Sequence, residues 1–462
     1  MSSTAFACER TSVRGMPIFL ESSHALPVVD ISLRIATGAE FDPEGLEGLA
    51  RLTLKTLRMG PMGMSEQRTE DLLAGLGARL HVSTARRALR VTGSVLTRHV
   101  EPFFDLLTRL VRTPALRPAD LARQRRETHA MLMAQLDDDD SLAARHVRKL
   151  ALDGHPFARS LVGNPASLAR VDVTQGRAFL AQHLRRGNLV FGFAGDITAA
   201  QAESLVERHF GDLPAGRSAR PKSPTPKLAR GRRVRIVDKP ERTQTPMVFS
   251  TLGTHLTDPH LDGLIVANTV FGGTFASRLN GELRLRRGFT YGASSSLGRA
   301  EKRELWSMQS APEAEHTLAC ARLHISLMER WVERGVSQRE LRAAKQFLAG
   351  SYAFDVETPS KRLEIRLDRH GAGLDPDAFV KYPARMRAVT LQQANEALRA
   401  RLSPDDMALV VVAEAEQVRD GLATLPGVRG RGAAVHAAAR LNVMPPRSPP
   451  RWAAAPARCP RP

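Results

Sequence analysis

Cysteine is almost absent. Cys8, Cys320 and Cys459 stand far apart in 462 residues, with no CxxC or metal-ligand spacing. This excludes a disulfide framework and a cysteine zinc site, and makes each thiol a buried or incidental side chain. Long apolar runs are also missing. Leu189–Ala194 and Met407–Ala413 are the longest, of strand length and far short of the ~20 residues of a spanning helix, so no membrane span is expected. The opening MSSTAFACERTSVRG has no basic segment leading into an apolar one, so no secretory leader is expected in the chain as it stands. The sequence does not fix the compartment: a start further upstream would allow a periplasmic location, and otherwise a cytoplasmic one is expected.

Acids are missing from two segments. Residues 215–233 (AGRSARPKSPTPKLARGRR) hold seven Lys/Arg and residues 429–462 seven Arg, with no Asp or Glu in either. Of the formal charge of +19, only +5 is left for the remainder. A basic total first suggests nucleic acid, but charge gathered in a linker and a tail makes that partner an unlikely reading for the folded part.

What is present is ordinary globular material, 42% hydrophobic and 25% charged, enough for more than one core. The basic Pro-rich stretch divides the chain into 13–214, a linker 215–233, 234–428 and a tail 429–462, which lacks periodicity and is expected to be disordered. The two long segments end alike. VTQGRAFLAQHLRRGNLVFGFAGD from Val173 and VTLQQANEALRARLSPDDMALVVVAE from Val389 each read as a helix, a polar break and an apolar strand. An internal duplication is expected.

Alternation of Ile31, Leu33 and Ile35 with Ser32, Arg34 and Ala36, and of Leu89, Val91, Gly93 and Val95 with Arg90, Thr92 and Ser94, predicts strands with one covered face. Helical spacing appears at Leu46–Leu57, Glu66–Leu76, Val100–Leu110 and Ala119–Gln135, the last ending before an Asp137–Asp140 run read as a solvated loop. The second segment repeats the mixture: a strand at Met247–Leu252, helices at His260–Phe271, Glu315–Glu333 and Gln338–Gly350, and a strand at Met407–Ala413. The class is α+β: two homologous domains, each a mostly antiparallel or mixed sheet with helices on one face.

One stretch carries chemistry. In GGTFASRLNGELRLRRGFTYGASSSL, from Gly272, Ser277–Arg287 reads as a helix closed by Gly288, and Phe289, Tyr291 and Ala293 alternate as a strand. Gly272-Gly273 has no GxxxxGK[ST] or GxGxxG context and reads as a tight turn. This stretch resembles the C-terminal signature of the insulinase/pitrilysin-like zinc peptidase family, whose Arg/Tyr pair falls on Arg284 and Tyr291. The resemblance extends to ESSHALPVVDISLRIATGAEFDPEGLEGLARL, LDGHPFARSLVGNPASL and GNLVFGFAGD, in the family's order over roughly 13–427, and implies the LuxS/pitrilysin-like metalloenzyme fold.

Active members of that family carry HxxEH on the helix after the PEG-like turn, two metal-binding histidines and a glutamate base. Here Arg51 and Lys55 occupy the histidine positions, Leu54 the glutamate, Met131 the third ligand and Gln124 an accompanying acidic position. Cations and a leucine neither bind Zn²⁺ nor deprotonate water, so this chain is expected to bind no cofactor and to be inactive alone. His129, His146 and the Asp run are not expected to rebuild a site.

The resemblance implies a non-catalytic subunit similar to those of bacterial two-subunit peptidases and the mitochondrial processing peptidase. An HxxEH-bearing partner would hold the zinc, and Arg284 and Tyr291 would stabilise the oxyanion of a peptide or unfolded protein substrate. Gly77–Leu89 resembles the edge strand on which substrate backbone pairs in active members, and with the metal absent its binding of peptide is an open question. The alternative is an inert structural subunit like the core proteins of a respiratory complex.

Overall fold

The computed structural model describes residues 8–428 and 433–436. The strands form two six-stranded sheets. The first contains β1 (Glu9–Val13), β2 (Met16–Ser22), β3 (Val28–Ile35), β4 (Arg79–Thr84), β5 (Leu89–Leu96) and β6 (Leu189–Gly195). The second contains β7 (Arg233–Asp238), β8 (Met247–Leu252), β9 (Thr290–Leu297), β10 (Leu305–Pro312), β11 (Ala408–Ala413) and β12 (Ala433–His436). Their spatial orders, β1-β2-β6-β3-β5-β4 and β12-β7-β11-β8-β10-β9, match place for place. In each, one inner pair is parallel (β2 with β6, β7 with β11), and every pair from there to the β4 or β9 edge is antiparallel. The outer strands differ: β1 forms a hairpin with β2, whereas β12 runs parallel to β7.

Helices repeat the order too. In the first half, α1 (Leu49–Leu57) and α2 (Glu66–Gly75) join β3 to β4. Then α3 (Val100–Arg112), α4 (Pro118–Ala134), α5 (Asp139–Ala151), α6 (Pro165–Arg170) and α7 (Val173–His183) join β5 to β6, and α8 (Ala199–Phe210) follows. In the second, α9 (Leu261–Phe271) and α10 (Arg278–Asn280) precede β9. Between β10 and β11 lie α11 (Thr317–Arg334), α12 (Gln338–Asp355), α13 (Pro359–Gly371), α14 (Tyr382–Ala388) and α15 (Leu391–Arg401), and α16 (Ala415–Ala423) follows. Capping boxes start α7 and α15, with Asp172 and Thr390 accepting from the amides of Gln175 and Gln393. The caps align these helices two residues away from the Val-Thr alignment read in sequence, because Thr390 is a cap and Thr174 is not.

Each sheet packs one face on helices of its own half, around Phe103, Phe104, Phe191 and Phe193 in the first core and Phe249, Phe271, Trp306 and Trp331 in the second. The other face meets a helix from the opposite half. α5 crosses onto β7, β8 and β11, and α13 onto β2, β3 and β6. Coverage on both sides explains why β6 and β11 are continuously apolar. Within each half the helices lie on one face, as expected, but the expectation of one covered face on β3 is corrected: Ser32 and Arg34 are buried beneath α13 of the other half. Arg34 is tolerated there because it pairs with Asp368, and with Glu364 at 2.5 Å. Gly192 makes the approach close; a Cβ there would lie 2.7 Å from Leu367 Cδ1.

The Asp run is a solvated loop only in part: Asp137 and Asp138 are exposed between α4 and α5, while Asp139 and Asp140 already belong to α5. Asp138 caps α5, accepting from the Ser141 amide at 3.1 Å, and Asp139 pairs with Lys239 and with Arg242 (3.1 Å). At the end of the basic stretch, Arg232 is buried and donates to the Pro404 and Pro426 carbonyls and to Glu329, while Arg233 opens β7. The reading of 429–462 as disordered fails at Ala433–His436, which pair as β12; the other residues of that segment, Cys459 among them, lie outside the described residues. Cys320 is buried, its thiol pushed up to about 12 by burial. Among the described residues no helix is long and apolar enough to cross a membrane.

Candidate functional site

The helix α1, which carries the degenerate metal positions, begins after Gly48, whose φ of +96° is the left-handed conformation glycine allows. A Cβ there would also sit 2.6 Å from the Val162 carbonyl oxygen. The buried Asp42 carboxylate fixes the helix start, accepting from the Gly48 and Ala50 amides at 2.8 Å each. On α1, Arg51 and Lys55 lie one turn apart on the same face, both half-buried. Arg51 Nη2 reaches the Met131 sulfur on α4 at 3.6 Å. Thus the structure brings two of the substituted positions into contact. Leu54 instead joins the core at 1% exposure. Gln124 is buried and donates to Glu127 Oε2 at 2.8 Å.

The donor set does not fit zinc. A guanidinium, an ammonium and an alkyl chain have no lone pair for a metal at working pH, and one thioether is a weak, soft ligand. Burial lowers the Arg51 pKa, and its Nε has no hydrogen-bond partner among the described residues. His129 is exposed on α4 and His146 buried on α5, and they form no metal-ligand cluster with each other or with the Asp run. The ligand-like group found among the described residues is Glu313, Glu315 and His316, largely exposed. Sequence reading missed it because Glu313 is brought to the others by the turn into α11.

The second cluster is built at the corner before β9. The expected single helix Ser277–Arg287 is a three-residue turn, α10, followed by a π-helical turn over Gly281–Arg286. Ser277 caps it, and Gly288, at φ +66°, closes it. The wider turn carries Arg284 to the β9 edge. Its guanidinium lies over two rings, 4.5 Å from the centroid of Phe275 and 4.8 Å from that of Tyr291. The expected pair therefore meets, through the face of the tyrosine ring. Tyr291 is 85% exposed and Phe275 67%. Neither the Arg284 guanidinium nor the Tyr291 hydroxyl has a hydrogen-bond partner among the described residues. Stacking leaves the in-plane N–H donors of Arg284 free.

Two features that sequence reading missed aim this cluster. Register shifts between Ser310 and Pro312 where β9 passes Tyr291 and Gly292, a bulge of the sort that turns a side chain out of the pleat. Pro312, which cannot donate to the ladder, was its available signal. Asn280, only 3% exposed, ties the corner: its amide nitrogen donates to the Phe275 carbonyl at 2.7 Å and its side-chain oxygen accepts from the Ala293 amide at 3.2 Å. Gly272 packs against β9 so closely that a Cβ would lie 2.5 Å from the Ser295 nitrogen, so the Gly-Gly turn is a matter of packing.

In the first half the matching edge is β4; within Gly77–Leu89, Gly77 and Ala78 lead into it, residues 85–88 form the turn that follows, and Leu89 opens β5. Arg79 and His81 are exposed on β4. No hydrogen bond or ion pair joins the Arg51–Met131 contact to the Arg284–Tyr291 corner among the described residues.

Two family models match this chain: "Insulinase (Peptidase family M16)" over residues 18–165 and "Peptidase M16 inactive domain" over residues 170–348. It is 21% identical over 414 residues to the non-peptidase homolog YmxG of Helicobacter pylori, covering 89% of this chain and 95% of that one. The fold is similar to the crystal structure of a peptidase M16 inactive domain from Pseudomonas fluorescens (TM-score 0.82, 24% identity, 88% and 98% covered). It is also similar to a chain of complex III2 from Candida albicans (TM-score 0.74, 14% identity, 89% and 97% covered).

Proposed function

The chain belongs to the insulinase family of peptidases, family M16, and from that premise we propose that it is the metal-free subunit of a two-subunit zinc endopeptidase. The observation that carries this reading is an asymmetry between the two clusters. At the metal-ligand positions, Arg51, Leu54, Lys55 and Met131 cannot hold zinc. At the β9 edge, by contrast, Arg284 and the largely exposed Tyr291 keep unengaged donors on a corner braced by Asn280. An exposed tyrosine stacked by an arginine and flanked by an exposed phenylalanine suits a surface that meets another molecule.

In this reading an HxxEH-bearing homologue supplies zinc and the attacking water. Arg284 and Tyr291 donate to the carbonyl oxygen of the peptide as it becomes an oxyanion, where a preorganised donor acts most strongly. The unpaired edge of β4 is available for pairing with an extended peptide backbone. The same strand order in both halves supports descent by internal duplication, and each chain of the pair would contribute one wall of an enclosed peptide chamber.

The test is reconstitution with an HxxEH-bearing homologue. Chelator-sensitive cleavage of unfolded peptides should appear only in the mixture. Tyr291→Phe should then lower kcat by about 10²–10³ with KM nearly unchanged, the usual loss for one oxyanion donor. Arg284→Ala should do similar damage, and the double variant should be less than additive. Turnover by the isolated chain, or wild-type turnover in an assembled Tyr291→Phe complex, would refute it. The second reading is an inert scaffold, favoured by the similarity to a complex III2 chain; it predicts stable assembly and no effect of either substitution.

A further inference from the structure

Where the two halves meet, six guanidinium groups line one crevice: Arg34, Arg86, Arg87, Arg90, Arg220 and Arg299. Three carboxylates, Glu40, Glu301 and Asp368, line it with them. Its volume is about 280 Å³, and its walls come from four places: β3 with the β4–β5 turn, Arg220-Pro221 of the basic stretch, the β9–β10 connection at Arg299–Glu301, and the end of α13.

All three carboxylates are already engaged. Asp368 takes Arg34, and Arg90 at 2.5 Å; Arg87 holds Glu40 at 2.5 and 3.1 Å and also pairs with Glu301. Arg86, Arg220 and Arg299 are left without a carboxylate among the described residues. Arg86 is positioned by other means, donating to the Phe157 carbonyl at 2.9 Å with its guanidinium 5.0 Å from that ring's centroid. Burial and the neighbouring Arg148 guanidinium lower its pKa to about 10. Arg34 is only 6% exposed, and its Nε and that of Arg90 have no hydrogen-bond partner among the described residues. Uncompensated charge and unpaired donors are costly inside a fold; with Glu364, which also takes Arg34 at 2.5 Å, six cations stand against four anions, a deficit that an anion would fill.

We propose that this crevice binds a small multivalent anion of the phosphate class, held by Arg86, Arg220 and Arg299. Guanidinium forks match phosphate oxygens two at a time, which a spherical halide cannot exploit. An excess of two positive charges suits a polyvalent phosphate better than a single carboxylate. Because Arg220 belongs to the segment between the halves and Arg299 to the second half, an occupant would tie the two halves and their linker together and stabilise them by mass action. The phosphate group is the shared chemistry of two sources, an inorganic ion and a nucleotide.

The experiment uses the full chain alone, so it does not depend on the peptidase reading. Calorimetry and thermal unfolding are run with inorganic phosphate, pyrophosphate and ATP at an ionic strength fixed with chloride. Saturable binding of pyrophosphate with a rise in Tm is expected. ATP binding more tightly than pyrophosphate would identify a nucleotide source, and the reverse order an inorganic one; both support the site. Arg220 and Arg299 are exposed and unpaired, so the R220Q/R299Q variant should keep its near-UV circular dichroism and Tm while its affinity falls at least tenfold. No saturable binding of any of the three ions, or unchanged affinity in that variant, would overturn the proposal.

Discussion

The two crossing helices perform the same task with different chemistry. α5 lays Leu142, Ala143, Val147 and Ala151 on Val248, Ala408, Val410 and Val412 of the second sheet, an apolar joint. α13 brings Leu363 and Leu367 to Phe19 and Ala194 of the first sheet, but also Arg362 and Arg366, which both pair with the buried Glu21. A hydrophobic joint tolerates small errors of register because it is not directional. Buried ion pairs gain little net energy but strongly penalise any arrangement that leaves a charge alone. The first sheet therefore specifies its partner helix more sharply than the second.

Breaking the ionic joint should have the largest effect. Glu21→Ala removes the carboxylate that Arg362 and Arg366 share and leaves Arg366 with Asp377 at 2.8 Å, and a loss of about 3–4 kcal/mol is expected in urea unfolding, nearly independent of salt. A loss below about 1 kcal/mol would mean that water reaches the joint. Breaking the apolar joint should cost somewhat less: Leu142→Ala, at a fully buried position, should lose about 3 kcal/mol by the same measurement, with a cavity at the seam.

A third prediction contrasts the two cores through their buried histidines. His324 is wholly buried, stacked on Phe249 at 4.9 Å, and burial lowers its pKa to about 4. The unfolded chain binds the proton near 6.5 while the folded one refuses it, so this stability is complete above about pH 6.5 and lost as pH falls toward 4. By pH 4 the loss amounts to about 3 kcal/mol. His324→Leu should flatten that limb of the pH–stability profile; an unchanged profile would place the acid sensitivity elsewhere, for instance at His183, which burial also lowers to about 4. The smallest effect belongs to the polar fringe of α5. Arg242, paired with Asp139 at 3.1 Å and 37% exposed, should cost less than about 1 kcal/mol when changed to alanine, and less still at high salt.

Periodicity and spacing revealed those parts of the molecule whose cause is local. β6 and β11 stand out as apolar runs, α1 as an amphipathic helix, and Arg284 and Tyr291 by their separation of seven within a helix-to-strand corner. Arg34 was misread as facing solvent because its partner Asp368 is 334 residues away, and alternation reports polarity without reporting what covers it. The π-helical turn and the bulge at Tyr291 each change direction by the placement of a single residue, which leaves the hydrophobic pattern intact. The Asp137–Asp140 run shows the same limit: three of the four acids are exposed, as they look, but pattern does not tell that Asp138 caps a helix or that Asp139 meets Lys239 and Arg242. The Arg86–Arg220–Arg299 crevice draws on three distant segments and has no local signature.

The exchange of α5 and α13 also sets the order in which the protein can be made. During synthesis the ribosome releases the first sheet once Gly195 has emerged, but the helix that seals its ionic face begins only at Pro359. At ordinary elongation rates of about 5–20 residues per second, that face waits for on the order of 10–30 s with Glu21 and Arg34 unpartnered, while α5 waits for a sheet not yet translated. The nascent first half thus cannot finish alone, and it must be kept from other chains until its complement arrives.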